Sequence, residues 1–105
     1  FAMNIFSPQG AGTCTAMDKL AYRSHDGNTT GFTIAVMNGT GGALTTYNAS
    51  VGAVDLGSDG SSWAIGDSKV FYYQLGSAPT SPLTIDFTYT SAGFSHNEST
   101  TCTFS

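Results

Sequence analysis

LTIDFTYTSAGFSHNESTTCTFS, residues 83–105, decides the fold. Ile85, Phe87 and Tyr89 alternate with Thr84, Asp86, Thr88 and Thr90. A period of two marks a strand with one face buried. Ser91-Ala92-Gly93 then supplies a turn, and residues 94–104 return as the second arm of a hairpin. That returning arm is almost wholly polar and carries one of the two cysteines, Cys102. It reads as an edge strand facing solvent, because polar edges resist uncontrolled strand pairing.

The rest of the chain has the same grammar. In residues 31–42, GFTIAVMNGTGG, Phe32, Ile34 and Val36 share a face before Asn38-Gly39 begins a turn. Residues 43–57 offer Leu44, Tyr47, Val51, Val54 and Leu56, as two short strands or one strand with a bulge at Gly52. Trp63 and Ile65 follow a loop, one residue apart. In residues 68–77, Val70, Tyr72 and Gln74 alternate with Phe71, Tyr73 and Leu75. Residues 16–23 fit one helical turn through Met17, Leu20 and Ala21, or a short strand pointing Leu20 and Tyr22 one way; the strand is the better reading. About seven strands, spaced by turns and without a helix for a βαβ unit, predict an all-β, immunoglobulin-like β-sandwich.

Chain length and composition bound the class. One hundred and five residues make one domain. Only 10% are charged, and the net charge is −4. A basic footprint for nucleic acid is absent. Ser, Thr, Asn and Gly must carry the hydration that charges do not, as in extracellular β-domains. No stretch is apolar for long enough to span a membrane as a helix. The chain begins at Phe1, not Met, so a preceding segment is expected to have been removed. Cys14 and Cys102 lie near opposite ends, and in a secreted domain they predict one disulfide. Two free buried thiols are the alternative.

The opening residues differ from the remainder. Phe1, Met3 and Ile5 alternate with Ala2 and Asn4, Phe6 lies beyond, and Pro8 with the Gly-rich QGAG breaks the pattern before Cys14. Residues 1–10 therefore read as an apolar arm and hinge, and residues 11–105 as the sandwich head. Phe1, Met3, Ile5 and Phe6 are the candidate subunit contacts.

Four of the five asparagines, Asn28, Asn38, Asn48 and Asn97, begin an N-x-[ST] triplet, and only Asn4 does not. Ser and Thr are so common here that a single match carries little weight. Together the four predict a glycosylated surface domain. Catalytic motifs are missing: neither a G-x-S-x-G elbow nor an S-x-x-K pair occurs. Asp55, Asp59 and Asp67 could line a calcium loop, but Asp before Gly is ordinary turn chemistry. His96 and Glu98 would share a strand face as a solvated pair. Trp63, Tyr47, Tyr72 and Tyr73 would either stack sugars or fill the core, and a small sandwich needs that bulk for its core. The expectation is a non-enzymatic protein without metal or cofactor.

The layout resembles archaeal type IV pilin-like proteins of the class III signal peptide family. The likeness is carried by the junction Asn4-Ile5-Phe6-Ser7-Pro8 with Cys14 following, by the apolar strand 32–38 with its NGTGG turn, and by Tyr89-Thr90-Ser91-Ala92-Gly93-Phe94-Ser95-His96 near the end. The family's core helix is missing here, so Phe1-Ala2-Met3 is either its last turn or part of a strand donated to a neighbour. The resemblance implies a homopolymeric extracellular filament acting in surface extension and adhesion, with cell-surface glycans or a host surface as further partners and a head outside the membrane. The other class kept open is a secreted carbohydrate-binding or adhesin module that uses exposed aromatics. A small hydrolase would need His25 or His96 in a cleft beside a serine and an aspartate.

Overall fold

A computed structural model describes residues 13–28, 30–74, 76, 79 and 82–103, the side chain of Asn28 excepted. The arm and its residues Phe1, Met3, Ile5 and Phe6 lie outside the described residues. Among the described residues seven strands follow one another: β1 (Leu20–Asn28), β2 (Gly31–Asn38), β3 (Tyr47–Val51), β4 (Val54–Asp55), β5 (Ser68–Gln74), β6 (Leu83–Ser91) and β7 (Phe94–Cys102). They form two antiparallel sheets, one ordered β1-β2-β5 and the other β4-β3-β6-β7. The chain changes sheet between β2 and β3, β4 and β5, and β5 and β6, giving the Greek-key connections of an immunoglobulin-like sandwich.

Each sheet turns its alternate residues inward. Phe32, Ile34 and Val36 of β2 are buried, as are Ile85, Phe87 and Tyr89 of β6. Phe71 of β5 joins them, while Val70 and Tyr72 face out at 50% and 42% exposure. The centre is a chain of edge-to-face rings: Trp63 to Phe71 at 5.5 Å and Phe71 to Phe87 at 5.4 Å. Such pairs add about 0.5–1.5 kcal/mol each beyond area burial.

Several local expectations change. β1 begins at Leu20 and runs on through His25 to Asn28, with a bulge between Tyr22 and Ser24. Gly52, at φ 59°, makes the turn between β3 and β4, so residues 43–57 hold two short strands. Trp63 and Ile65 do not share a strand. Trp63 makes an isolated bridge to Leu44 and is buried, whereas Ile65 is 59% exposed. Gly31 is required by close approach: a Cβ there would lie 1.7 Å from the Tyr73 carbonyl oxygen.

The β6–β7 hairpin forms as expected, but its turn is shorter than the expected Ser91-Ala92-Gly93: Ser91 pairs with Phe94, and the register runs from there to Leu83 opposite Cys102. Along the inward side of β7, exposure climbs from Cys102 at 0% and Thr100 at 1% to Phe94 at 71%. β7 thus leaves the core towards the hairpin tip while β6 stays buried as far as Tyr89, which accounts for the polar composition of β7 over residues 95–99. Its turn places Ala92 at φ 55° and Gly93 at φ 82°. Two positive values in a two-residue hairpin turn are the type I′ geometry, which favours Asn-Gly. Alanine in the left-handed region costs roughly 1–2 kcal/mol, and asparagine tolerates it better. Ala92→Asn should therefore raise stability by about 0.5–1 kcal/mol. A urea midpoint unchanged or lowered in the variant would contradict this.

Candidate functional site

Residues 13–20, which precede β1, are sewn along the outer edge of β7. Cys14 and Cys102 form a disulfide, 88 residues apart in sequence with Cα atoms 4.0 Å apart. They face each other as an isolated antiparallel bridge. Thr15 N–H donates to the Thr101 carbonyl at 3.0 Å, and Thr103 N–H to the Thr13 carbonyl at 2.8 Å. These bonds flank the cysteine pair, making it the non-hydrogen-bonded kind that brings Cα atoms closest. Closing so long a loop removes about 4–5 kcal/mol of denatured-state freedom in the chain-entropy model.

Glu98 fastens the next few residues. Its Oε1 accepts the backbone N–H groups of Asp18 at 3.0 Å, Lys19 at 3.1 Å and Leu20 at 3.2 Å. Its Oε2 accepts Lys19 N–H at 3.1 Å and the Tyr89 hydroxyl. Glu98 and His96 are therefore not a solvated pair. His96 stacks on the Tyr89 ring at 5.1 Å, and Glu98 caps a turn on the far side of the seam. Burial, and then the bond to Glu98, pushes the Tyr89 phenol above its usual range. A shallow groove of about 340 Å³ runs beside this segment, lined in part by Cys14, Met17, Leu20 and Tyr22.

The remaining candidates are dispersed. His25 is buried; Nδ1 meets the Tyr22 hydroxyl, and Nε2 lies 3.0 Å from the Thr103 carbonyl. Trp63 is 1% exposed and packs on Tyr47, and Tyr73 packs on Phe32. Of the four proposed sugar-stacking aromatics, only Tyr72 is exposed. Asp55 accepts from Asn48, and Asp59 binds Lys69 and Ser61. Among the described residues, no three His, Cys, Asp or Glu side chains gather to hold a metal ion. Nor is any described helix long and apolar enough to cross a membrane.

The sequon asparagines separate sharply. Asn38 is 0% exposed. Its Nδ2 donates to the carbonyls of Gly42 and Trp63, both at 2.9 Å, and its Oδ1 accepts from Thr40 N–H and Oγ1–H. This is an Asx turn that ties two loops together, and the buried amide has no hydrogen left for a sugar. In the folded chain both Asn38 amide hydrogens are therefore already engaged. Asn48 and Asn97 are exposed, and the Asn28 side chain lies outside the described residues.

Lys69 is the other polar group that composition concealed. It is 5% exposed, yet Nζ donates to Asp59 Oδ1 at 2.6 Å, Ser61 Oγ at 2.8 Å and the Ser61 carbonyl at 3.0 Å. Burial disfavours the ammonium, but bonding to Asp59 and Tyr47 outweighs it and the pKa is raised. Hydrogen bonds from Lys69, then from Ser61, hold Asp59 at about 2 against an ordinary 3.8.

No protein-family model matches this chain, and neither curated proteins nor solved structures supply a match.

Two outcomes test this geometry. Glu98→Gln should cost about 2 kcal/mol, because three converging N–H groups lose a charged acceptor. Amide exchange at Asp18, Lys19 and Leu20 should quicken more than exchange in β2, and uniform exchange would contradict the seam. The Asp59 contribution is full above 3.8 and is lost as pH falls through about 2. The stability gap between wild type and Asp59→Asn should therefore close over that interval in acid titrations, whereas parallel curves would overturn it.

Proposed function

We propose that the chain is a structural subunit of an extracellular filament, in which the apolar arm of one copy is buried against another. The observation that carries this reading is the seam. The residues that follow the arm are covalently and multiply bonded to the last strand, as an anchor for a load-bearing segment requires. A pull on the arm enters β7 through Cys14–Cys102 instead of peeling the edge. The arm's composition supports the same reading. Phe1, Met3, Ile5 and Phe6 left in water would cost about 1.5–3 kcal/mol each relative to burial. A groove, sheet edge or core supplied by a neighbour removes that cost.

The pilin-like motifs of the junction and hairpin favour an archaeal pilus acting in surface extension and adhesion, with copies of the same chain as the main partner. The sugar-binding alternative is weaker, because Trp63, Tyr47 and Tyr73 are engaged in packing. No enzymatic role is assigned.

Deleting residues 1–7 should leave the head folded, since the disulfide lies beyond the cut, and should abolish assembly in negative-stain images. Polymers of native morphology would sink the reading. Loss of the head's fold would instead place the arm in its own core.

A further inference from the structure

We propose that Asn48 and Asn97 are both glycosylated, and that their two glycans stand side by side on the outer face of the β4-β3-β6-β7 sheet. Three observations converge. First, Asn48 lies opposite Thr88 in one pairing and Thr88 lies opposite Asn97 in the next. The three residues form one row across β3, β6 and β7. Two strand spacings put the asparagines roughly 10 Å apart. Thr88, between them, is small and exposed.

Second, both triplets lie on strands, so each asparagine and its hydroxyl residue two positions on share a face. Ser99 is exposed and Ser50 half-buried, on the side of Asn97 and Asn48 respectively. Both asparagines also sit where pairing runs out. β4 pairs with β3 only at Ser50 and Val51, with Leu56 N–H on the Ala49 carbonyl beside Asn48. The backbone bonds of residues 13–15 meet β7 at residues 101–103, past Asn97, and beside Asn97 it is the Glu98 side chain that reaches across to residues 18–20. An enzyme can reach both amides with little of the sheet opened. Asn48 Nδ2 makes only a long, exposed contact with Asp55, at 3.2 Å. Asn38 is the internal contrast, buried with both amide hydrogens bonded to carbonyls.

Third, this outer face is uniformly hydrophilic. Thr84, Asp86, Thr88 and Thr90 of β6 alternate with buried residues, and Ser95, Asn97, Ser99 and Thr101 of β7 continue the surface. It presents no large apolar side chain to pack against a protein, and a hydrated oligosaccharide costs it nothing.

The donor class is a lipid-phosphate-linked oligosaccharide, brought by a transferase. Asparagine Nδ2 forms a bond to the anomeric carbon as the anomeric carbon–oxygen bond to phosphate breaks. The lipid phosphate leaves with the bonding pair, and one Nδ2 proton passes to a base of the transferase. No oxidant or reductant is involved. The proposal stands apart from the filament reading, since neither the arm nor assembly enters it.

The test is made on the full chain, secreted from a cell that N-glycosylates and digested with peptide N-glycosidase in ¹⁸O-water. Peptides containing Asn48 and Asn97 should carry labelled aspartate, and the Asn38 peptide should not. Ser50→Ala and Ser99→Ala should each remove the label at one site only. Absence of label at Asn48 or Asn97, or label at Asn38 in folded protein, would overturn the assignment. The side-by-side arrangement is read separately with Thr88→Lys. An amine-reactive ester should modify that lysine several-fold faster after enzymatic release of the glycans. Thr33→Lys, on the outer face of the other sheet, should react at an unchanged rate. Equal rates at position 88 before and after release would refute the shared cover.

Discussion

A single carboxylate and a single disulfide decide how the last strand ends. β7 is an edge strand, and an edge strand with free N–H and C=O groups invites pairing with another chain. Residues 13–20 close part of that edge, with backbone bridges around Cys14–Cys102 and with Glu98 gathering the N–H groups of residues 18–20. Thr100 deepens the join, donating its hydroxyl to the Thr15 carbonyl at 2.6 Å. Leu20 then enters β1 already positioned over the core, at 2% exposure. The start of one sheet is thereby set by the end of the other.

Two buried polar side chains hold the irregular parts in the same way. Asn38 binds the 39–42 turn and the carbonyl of Trp63, which fixes the loop that delivers the largest core side chain. Lys69 does this from β5, drawing Asp59 and Ser61 over the core edge. A buried ammonium is costly unless its hydrogens are answered, and here they are. Among the described residues no buried side-chain nitrogen or oxygen lacks a partner. In a small core, loops that carry Trp63 and Leu44 inward cannot be left to apolar contact alone.

The strands were legible because burial on one face imposes a period of two, and β2, β5 and β6 keep that period. The cysteine pairing was legible because only two exist. What escaped is long-range or ambiguous by nature. The partners of Glu98 are backbone amides 78 to 80 positions away, which no local pattern encodes. Asn38-Gly39-Thr40 satisfies the triplet for a glycan and the needs of an Asx turn equally, and only its burial separates them. Trp63 and Ile65 had strand spacing, yet a tryptophan whose indole N–H binds the Asp67 carbonyl belongs to a loop folded inward. The β1 extension was hidden by Ser24, Asp26 and Gly27, poor strand formers that the pairing with β2 overrides.

The placement of the disulfide follows a mechanical logic under the proposed reading. Tension on a chain end attached at a strand terminus by hydrogen bonds alone breaks those bonds one after another. Here tension reaching Cys14 passes through a covalent bond to Cys102, at the last rung of the β6–β7 ladder. That ladder extends from Leu83–Cys102 to Ser91–Phe94, and a load along its axis strains its rungs together. The same staple placed near the hairpin tip, beside Phe94, would leave Cys102 and Thr103 free to peel and would expose Leu83 and Ile85 as they did so. Cys102, at the last rung of this ladder, is therefore where an attached arm would gain most from it.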